Sequence, residues 1–155
     1  MLKHHEESIK NLVSYYKEEE GVIAVILDGS IVHGNARPDS DIDAVIVVTE
    51  EEYETRKREN RLAEVVTGHC TYEGGYFDVK FKSKKVLELA AERASEPTRN
   101  AYLGAVTVYT KDESIEGLIG RISAYPEGEI AAKVRCFNSN LQLNRGYFLA
   151  CVKED

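Results

Sequence analysis

Asp41 and Asp43 stand two residues apart at the head of an apolar run, and Gly29 and Ser30 stand shortly before them at the end of another. On a strand, residues two apart leave the same face, so both carboxylates share a side while Ile42 points into the core. The strand rise puts their Cα atoms roughly 6.5 Å apart. Carboxylates leaning together from there can share a pair of divalent ions about 3.5–4 Å apart. Mg²⁺ favours such hard oxygen ligands and is commonly held by one or two carboxylates together with phosphate oxygens. A third carboxylate, Asp78, lies in GYFDVKFK, where Tyr76, Asp78, Lys80 and Lys82 alternate with Phe77, Val79 and Phe81. If that strand lies beside 41–48, Asp78 joins the pair. Three like charges repel unless something positive sits between them, and a metal site accounts for the clustering.

Gly29 lets the backbone approach a ligand closely. Amides at a helix start favour phosphate, and the Ser30 hydroxyl adds a donor. Phosphate on the glycine side and metal on the aspartate side describe a nucleoside triphosphate held for in-line displacement. Taken alone, DID reads as a solvated strand end; with GS and a further strand-borne Asp it becomes a specific pattern.

That pattern, GS at 29–30, DID at 41–43 and FDV at 77–79, resembles the nucleotidyltransferase superfamily of polymerase beta, in particular its minimal and antibiotic-modifying branches. The resemblance covers roughly residues 20–110 as a fold. It implies that Gly29 and Ser30 hold the triphosphate and that Asp41, Asp43 and Asp78 bind two Mg²⁺, with Mn²⁺ as the alternative. It implies that Asp78 also helps to deprotonate an acceptor hydroxyl. The reaction implied is transfer of a nucleoside monophosphate, AMP from ATP by default, with release of pyrophosphate. One departure is Asp28, directly before Gly29, where many relatives carry an uncharged residue. An anion beside a phosphate loop is unfavourable, so Asp28 is expected to point away or the loop to differ locally. The other departure is length, since transferases of this type usually carry more C-terminal helices to shape the acceptor site.

The elements that must position these residues are readable from periodicity. Ile9, Leu12, Val13 and Tyr16 predict an amphipathic helix over 3–19, ended by Gly21. VIAVIL (22–27) reads as a strand buried on both faces, residues 28–40 as a loop in which a short helix can start at Ser30, and 41–48 as the next strand. A charged helix is expected over 51–66 and a half-buried strand over 75–82. Ser83 is expected to cap a helix over 84–94, and Ser95 a second with Pro97 in its first turn. A strand over 105–110, a helix over 113–123 and a last long helix marked by Ile130, Val134, Phe137, Leu141 and Phe148 complete the chain. The fold class is α/β (α+β): a small mixed sheet flanked by helices, a nucleotidyltransferase fold with a C-terminal helical extension. The expected division is a nucleotidyltransferase domain at 1–125 and a C-terminal helix at 126–155 that opens an acceptor-binding helical region.

Composition bounds the rest. The 155 residues carry a net charge of −7, with 43% hydrophobic and 30% charged residues. That balance speaks against tight non-specific nucleic-acid binding, which needs clustered Lys and Arg. It suits a cationic small molecule. No apolar run approaches the ~20 residues of a membrane span, the first ten residues lack the apolar core of a signal peptide, and Cys70, Cys136 and Cys151 read as free thiols. A cytoplasmic protein is expected. His33, Arg37 and Lys80 read equally as phosphate contacts or as loop surface and carboxylate pairing. Asn138, Asn140, Asn144 and Arg145 read as helix surface, with an acceptor pocket as the alternative, and His4 and His5 as exposed helix.

The acceptor expected is a small hydroxylated compound such as an aminoglycoside- or lincosamide-like antibiotic. The alternatives are AMP transfer to a protein hydroxyl, and a non-catalytic nucleotide-binding or toxin–antitoxin partner module. The last helix is expected to pack against a second copy as a homodimer, or against another subunit, unless the chain is a fragment whose next helices are missing.

Overall fold

Strands that are apolar on both faces need helices on both sides, and the computed structural model, which describes residues 1–153, supplies them. The first unit, Met1–Ala124, runs α1 (Lys3–Tyr16), β1 (Val22–Leu27), α2 (Gly29–Val32), β2 (Ile42–Val48), α3 (Glu50–Arg58), β3 (Ala63–Val66), β4 (Phe77–Ser83), α4 (Lys84–Arg93), α5 (Glu96–Tyr102), β5 (Val106–Thr110) and α6 (Ser114–Ser123). The strands form one mixed sheet in the order β3-β4-β2-β1-β5. Only β2 and β4 pair in parallel; the other neighbours are antiparallel.

Alternation divides the core. Ile42, Ala44 and Ile46 of β2 and Phe77, Val79 and Phe81 of β4 pack with Ile9, Leu12 and Tyr16 of α1 on one face. Val45 and Val47 pack with Leu87, Tyr102, Ile115, Leu118 and Ile122 of α4, α5 and α6 on the other. Each fully buried Val, Leu, Ile or Phe among them contributes about 1.5–3 kcal/mol, and this two-sided burial fixes which way Asp43 and Asp78 face. They share strand parity with Val45 and Lys80, so they emerge on the α4–α6 side.

The predicted caps are present. Ser83 Oγ accepts from the Val86 amide and Ser95 Oγ from the Thr98 amide, with Pro97 in the first turn of α5. Glu50, Glu51 and Glu52 fill the first turn of α3 and Arg56, Lys57 and Arg58 its last. Both ends complement the helix dipole, which explains the charge runs without a site. Arg99 holds α5 to the end of α6: its Nη1 donates to the carbonyls of Ile122 at 3.1 Å and Ala124 at 2.7 Å.

Two expectations are corrected. The helix expected over 51–66 stops at Arg58; Asn60 turns left-handed at φ 56°, and Ala63–Val66 adds an edge strand antiparallel to β4. Asn tolerates that conformation at a helix end, and the β-branched pair Val65-Val66 then joins the sheet. His5 is not exposed but fully buried, because the start of α1 packs against the 67–76 segment and its ring stacks edge-on to Tyr72 at 5.1 Å.

The second unit begins at Tyr125 and holds a 3-10 turn, Glu127–Glu129, and α7 (Ile130–Lys153). Val134, Phe137, Leu141 and Phe148 are each more than half exposed. Among the described residues no helix is long and apolar enough to cross a membrane, and all three cysteines are free thiols.

Candidate active site

The site is assembled where β1, β2 and β4 end together. The β2–β4 register sets Asp43 directly opposite Asp78, flanked by Ile42 opposite Phe77 and Ala44 opposite Val79. The buried neighbours pin both strands, so the two carboxylates are level and on one side. Lys80, two residues beyond Asp78, turns back between them. Its Nζ lies 2.9 Å from Asp78 Oδ2 and 3.5 Å from Asp43 Oδ1. Burial works against the ammonium charge, but bonding to Asp78 and the nearby Asp43 and Asp28 outweigh it, and its pKa is raised.

Across from this pair stands Gly29. The Asp28 amide donates to the Asp43 carbonyl at 3.2 Å, which brings the end of β1 against β2. Gly29 adopts φ +71°, and a Cβ there would fall 2.1 Å from Asp43 Oδ2. Glycine is therefore demanded twice, by the left-handed backbone and by the aspartate pressed against it. Ser30 follows in the single turn of α2. A cavity of about 430 Å³ opens over these groups, lined by Gly29, Ser30, Asp43 and Lys80 on one side and by Asn100 and Ala101 of α5 on the other.

Asp41 sits one residue before β2 and faces the Tyr76 phenol, whose pKa it raises. Its loop is clamped from outside: the Tyr72 hydroxyl donates to the Ser40 carbonyl at 2.6 Å, and His4 Nε2 bonds the Pro38 carbonyl at 3.0 Å. Neither Asp41 nor Asp78 is in the cavity lining. Among the described residues no three His, Cys, Asp or Glu side chains are gathered closely enough to hold a metal ion by themselves. The structure thus brings Asp43, Gly29 and Ser30 into one cavity and sets Asp78 beside Asp43 through the strand register and Lys80, while Asp41 stands apart beside Tyr76.

The segment from α1 to α5 carries all of these residues, and a family model described as the nucleotidyltransferase domain matches residues 9–98. The chain belongs to the nucleotidyltransferase domain family. Two solved structures are similar to this nucleotidyltransferase domain. One is a nucleotidyltransferase-like protein from Exiguobacterium sibiricum 255-15, with a TM-score of 0.49 and 10% identity over 81% of this chain. The chain spans 40% of the length of that protein. The other is a toxin–antitoxin with AMP-PNP, with a TM-score of 0.43 and 14% identity over 91% of this chain and 99% of that one. No curated protein matches the chain.

The nucleotidyltransferase domain departs from a bare carboxylate triad in its second cationic and anionic layer. Lys80 pairs with both aspartates, the alternative to a nucleotide contact that the sequence left open. His33 lines the cavity, and its ring bonds the Leu103 carbonyl, which ties α2 to the end of α5. Arg37 is loop surface, paired at 3.4 Å with exposed Asp39. Asn100 and Ala101 of the lining carried no local signal in the sequence, because α5 reaches the site through tertiary contacts, its packing on α6 and the His33–Leu103 bond.

Asp28 does not point away. It is 8% exposed, lines the cavity, and its carboxyl is pushed up to about 6 by burial first and then by Asp43, with Lys80 pulling the other way. A carboxyl whose folded pKa is raised binds its proton more tightly in the native state. Its contribution is therefore favourable at low pH and is lost as pH climbs from about 4 through 6. In metal-free protein, Asp28→Asn should gain about 2–3 kcal/mol of stability at pH 8, an order-of-magnitude figure for a shift of this size. The gain should vanish near pH 4. Urea melts of both proteins at the two pH values measure it; a gain that is equal at both would mean that Asp28 is not the group responsible.

Proposed function

We propose that this domain moves a nucleoside monophosphate, AMP from ATP by default, to a hydroxyl of a small molecule and releases pyrophosphate. The observation that carries this reading is the level pair Asp43–Asp78, bridged by the Lys80 ammonium, with Asp43 and Lys80 sharing one cavity with Gly29 and Ser30. An ammonium held by two carboxylates marks a place where positive charge is stabilised, and the donors are hard oxygens. Both suit Mg²⁺, or Mn²⁺ in its place, which takes one or two carboxylates and completes its shell with phosphate oxygens.

Asp43 and Asp78 would hold the metal, with Asp41 joining from the loop just before β2. Such ions, when bound, would supply charge neutralisation for an in-line displacement. The protein's own part is positioning. Gly29 leaves room for the Asp43 carboxylate against its backbone, and with Ser30, whose hydroxyl offers a donor, it lines the cavity that would take the triphosphate. Asp78 accepts the proton of the acceptor hydroxyl as the new oxygen–phosphorus bond forms and the bond to pyrophosphate breaks. The cavity has an acidic floor, Asp28 and Asp43, and amide groups, Asn35 and Asn100, on its walls. A hydroxylated, amine-bearing acceptor of the aminoglycoside or lincosamide type suits that lining.

A second reading, a nucleotide-binding module without transfer, including a toxin–antitoxin partner, is favoured by Lys80, which lets the carboxylates coexist without a metal. AMP transfer to a protein hydroxyl is the enzymatic rival. Incubation with α-labelled ATP and Mg²⁺, against hydroxylated small molecules and against lysate, separates them. Label on a small molecule supports the proposal. Label on protein transfers it to the rival, and binding without pyrophosphate release against any acceptor overturns transfer altogether.

A homodimer belongs to this reading. Ile130, Val134, Phe137, Leu141 and Phe148 fall at the spacing of a helix-pairing seam. A second copy of α7 is expected to cover them. Sedimentation at micromolar concentration should give twice the mass of the chain, and Phe137→Glu should return it to monomer; a wild-type monomer across that range ends the idea.

A further inference from the structure

We propose that Lys80 is a tethered counter-cation: it holds Asp43 and Asp78 together before loading, gives up its place to the divalent ion, and then turns to the triphosphate. The inference rests on the nucleotidyl-transfer reading and adds to it the role of a residue outside the aspartate pattern.

The geometry points to it in three ways. First, Nζ stands between the two carboxylates, 2.9 and 3.5 Å from them. A cation shared by Asp43 and Asp78 must use the same space, and an ammonium beside a divalent ion is repelled. Metal and ammonium are therefore alternative occupants. Second, the local charge is unbalanced. Asp28, Asp43 and Asp78 all act on Lys80, so one positive charge answers three carboxyl groups. Replacing it by a divalent ion, while keeping the ammonium nearby, brings the site closer to neutrality. Third, Lys80 has somewhere to go. Its side chain is 43% exposed, and it lines the same cavity as Gly29 and Ser30. A lysine carries its charge on a flexible four-carbon stem with three donors. Once released from the carboxylates, Nζ meets phosphate oxygens lying along Gly29 and Ser30.

A lysine that merely buttresses the fold would behave differently from one that competes with the metal and then binds phosphate. Opposite changes in two affinities are the signature. In nucleotide-free protein, Lys80→Met should bind Mn²⁺ about tenfold more tightly than wild type, read by electron paramagnetic resonance of free Mn²⁺, because the built-in competitor is gone. With Mg²⁺ present, the same variant should bind a non-hydrolysable ATP analogue about tenfold more weakly, because a phosphate contact is gone. Lys82→Met, two residues further along β4, should change neither. In the wild-type protein, the ¹³Cε resonance of Lys80 should shift when Mg²⁺ is added without nucleotide; this reading does not depend on any variant folding. Unchanged or weaker Mn²⁺ binding in Lys80→Met overturns the proposal, as does an undiminished analogue affinity or a Lys80 resonance that ignores Mg²⁺. If wild type binds both Mn²⁺ and analogue and only these Lys80 effects are missing, the lysine role falls alone. If wild type binds neither, the nucleotidyl-transfer reading falls and takes the lysine role with it.

Discussion

Asp43→Asn is expected to cut metal-dependent transfer by three powers of ten or more, a loss of ~4 kcal/mol or more in transition-state stabilisation. Phosphoryl-type transfer depends on positioning and charge neutralisation, with little covalent work for the protein to do. Asn keeps the shape of the side chain and removes its charge. The fold should not suffer. Ile42 and Ala44 are buried on either side and keep β2 in register, and the ion pair lost to Lys80 is the longer of its two, at 3.5 Å. The gain is relief of repulsion between Asp43 and the buried Asp28, so the melting temperature without metal should stay level or rise. Asp39→Asn is the control. Its carboxylate is exposed and paired only with Arg37 in the loop, and surface pairs of that kind contribute about 0–1 kcal/mol. Pyrophosphate release and thermal melts of the three proteins decide the matter. An Asp43→Asn protein with undiminished transfer would remove the basis for calling this domain a transferase.

Gly29→Ala should be nearly as damaging, and by a route that touches the fold as well. The added Cβ would lie 2.1 Å from Asp43 Oδ2, 2.9 Å from its Cγ and 3.2 Å from its Cβ. Rotating the carboxylate away relieves only the first of these. The side chain must leave its place or β1 must separate from β2, and φ +71° is itself a conformation that costs an alanine about 1–2 kcal/mol. A combined loss of about 2–4 kcal/mol in stability is expected, with transfer down at least about a hundredfold because Asp43 no longer stands level with Asp78. Gly74→Ala isolates the backbone part, since Gly74 has φ +73° and open space around it. The two variants, melted side by side and assayed for pyrophosphate, should differ clearly in both readings. Equal losses would mean that contact with Asp43 is not what selects glycine at 29.

What could be read before folding was the part that alternation controls. β1 was legible in full, and β2 and β4 to within a residue or two at their ends. The side from which Asp43 and Asp78 emerge followed from Ile42, Phe77 and Val79 pointing the other way. Their meeting was conditional on strand adjacency, which the parallel β2–β4 pair supplies. Contacts made by remote segments were not legible. Lys80 could have served phosphate or carboxylate, and only the adjacency of β2 made it serve two carboxylates. Asp28 was marked as an anion out of place, yet nothing local could tell that it would stay in the cavity with a raised proton affinity. His5 has the sequence context of an exposed helix end, and the distant Tyr72 segment covers it. β3 was lost because four residues after a charged helix carry too short a pattern to separate from it.

The side-by-side placement of Asp43 and Asp78 sets where this domain can tolerate insertions and deletions. Residues 49–76 leave β2 through α3 and β3 and return to β4 on the outer edge of the sheet. Within this stretch β3 is tied to β4 and Tyr72 to His5 and the Ser40 carbonyl, but the turn at Gly74 has open space, and added length there enters the stability mainly through loop closure, which changes by about 0.6 kcal/mol for a doubling. That turn can grow while the site stays level. One residue gained or lost between Phe77 and Phe81 has no such freedom. It would reverse the pleat, turning the Asp78 carboxylate toward α1 or Phe81 toward water. The packing of the core and the spacing of the site are thus written in the same five residues, and a chain that keeps the first cannot drift away from the second.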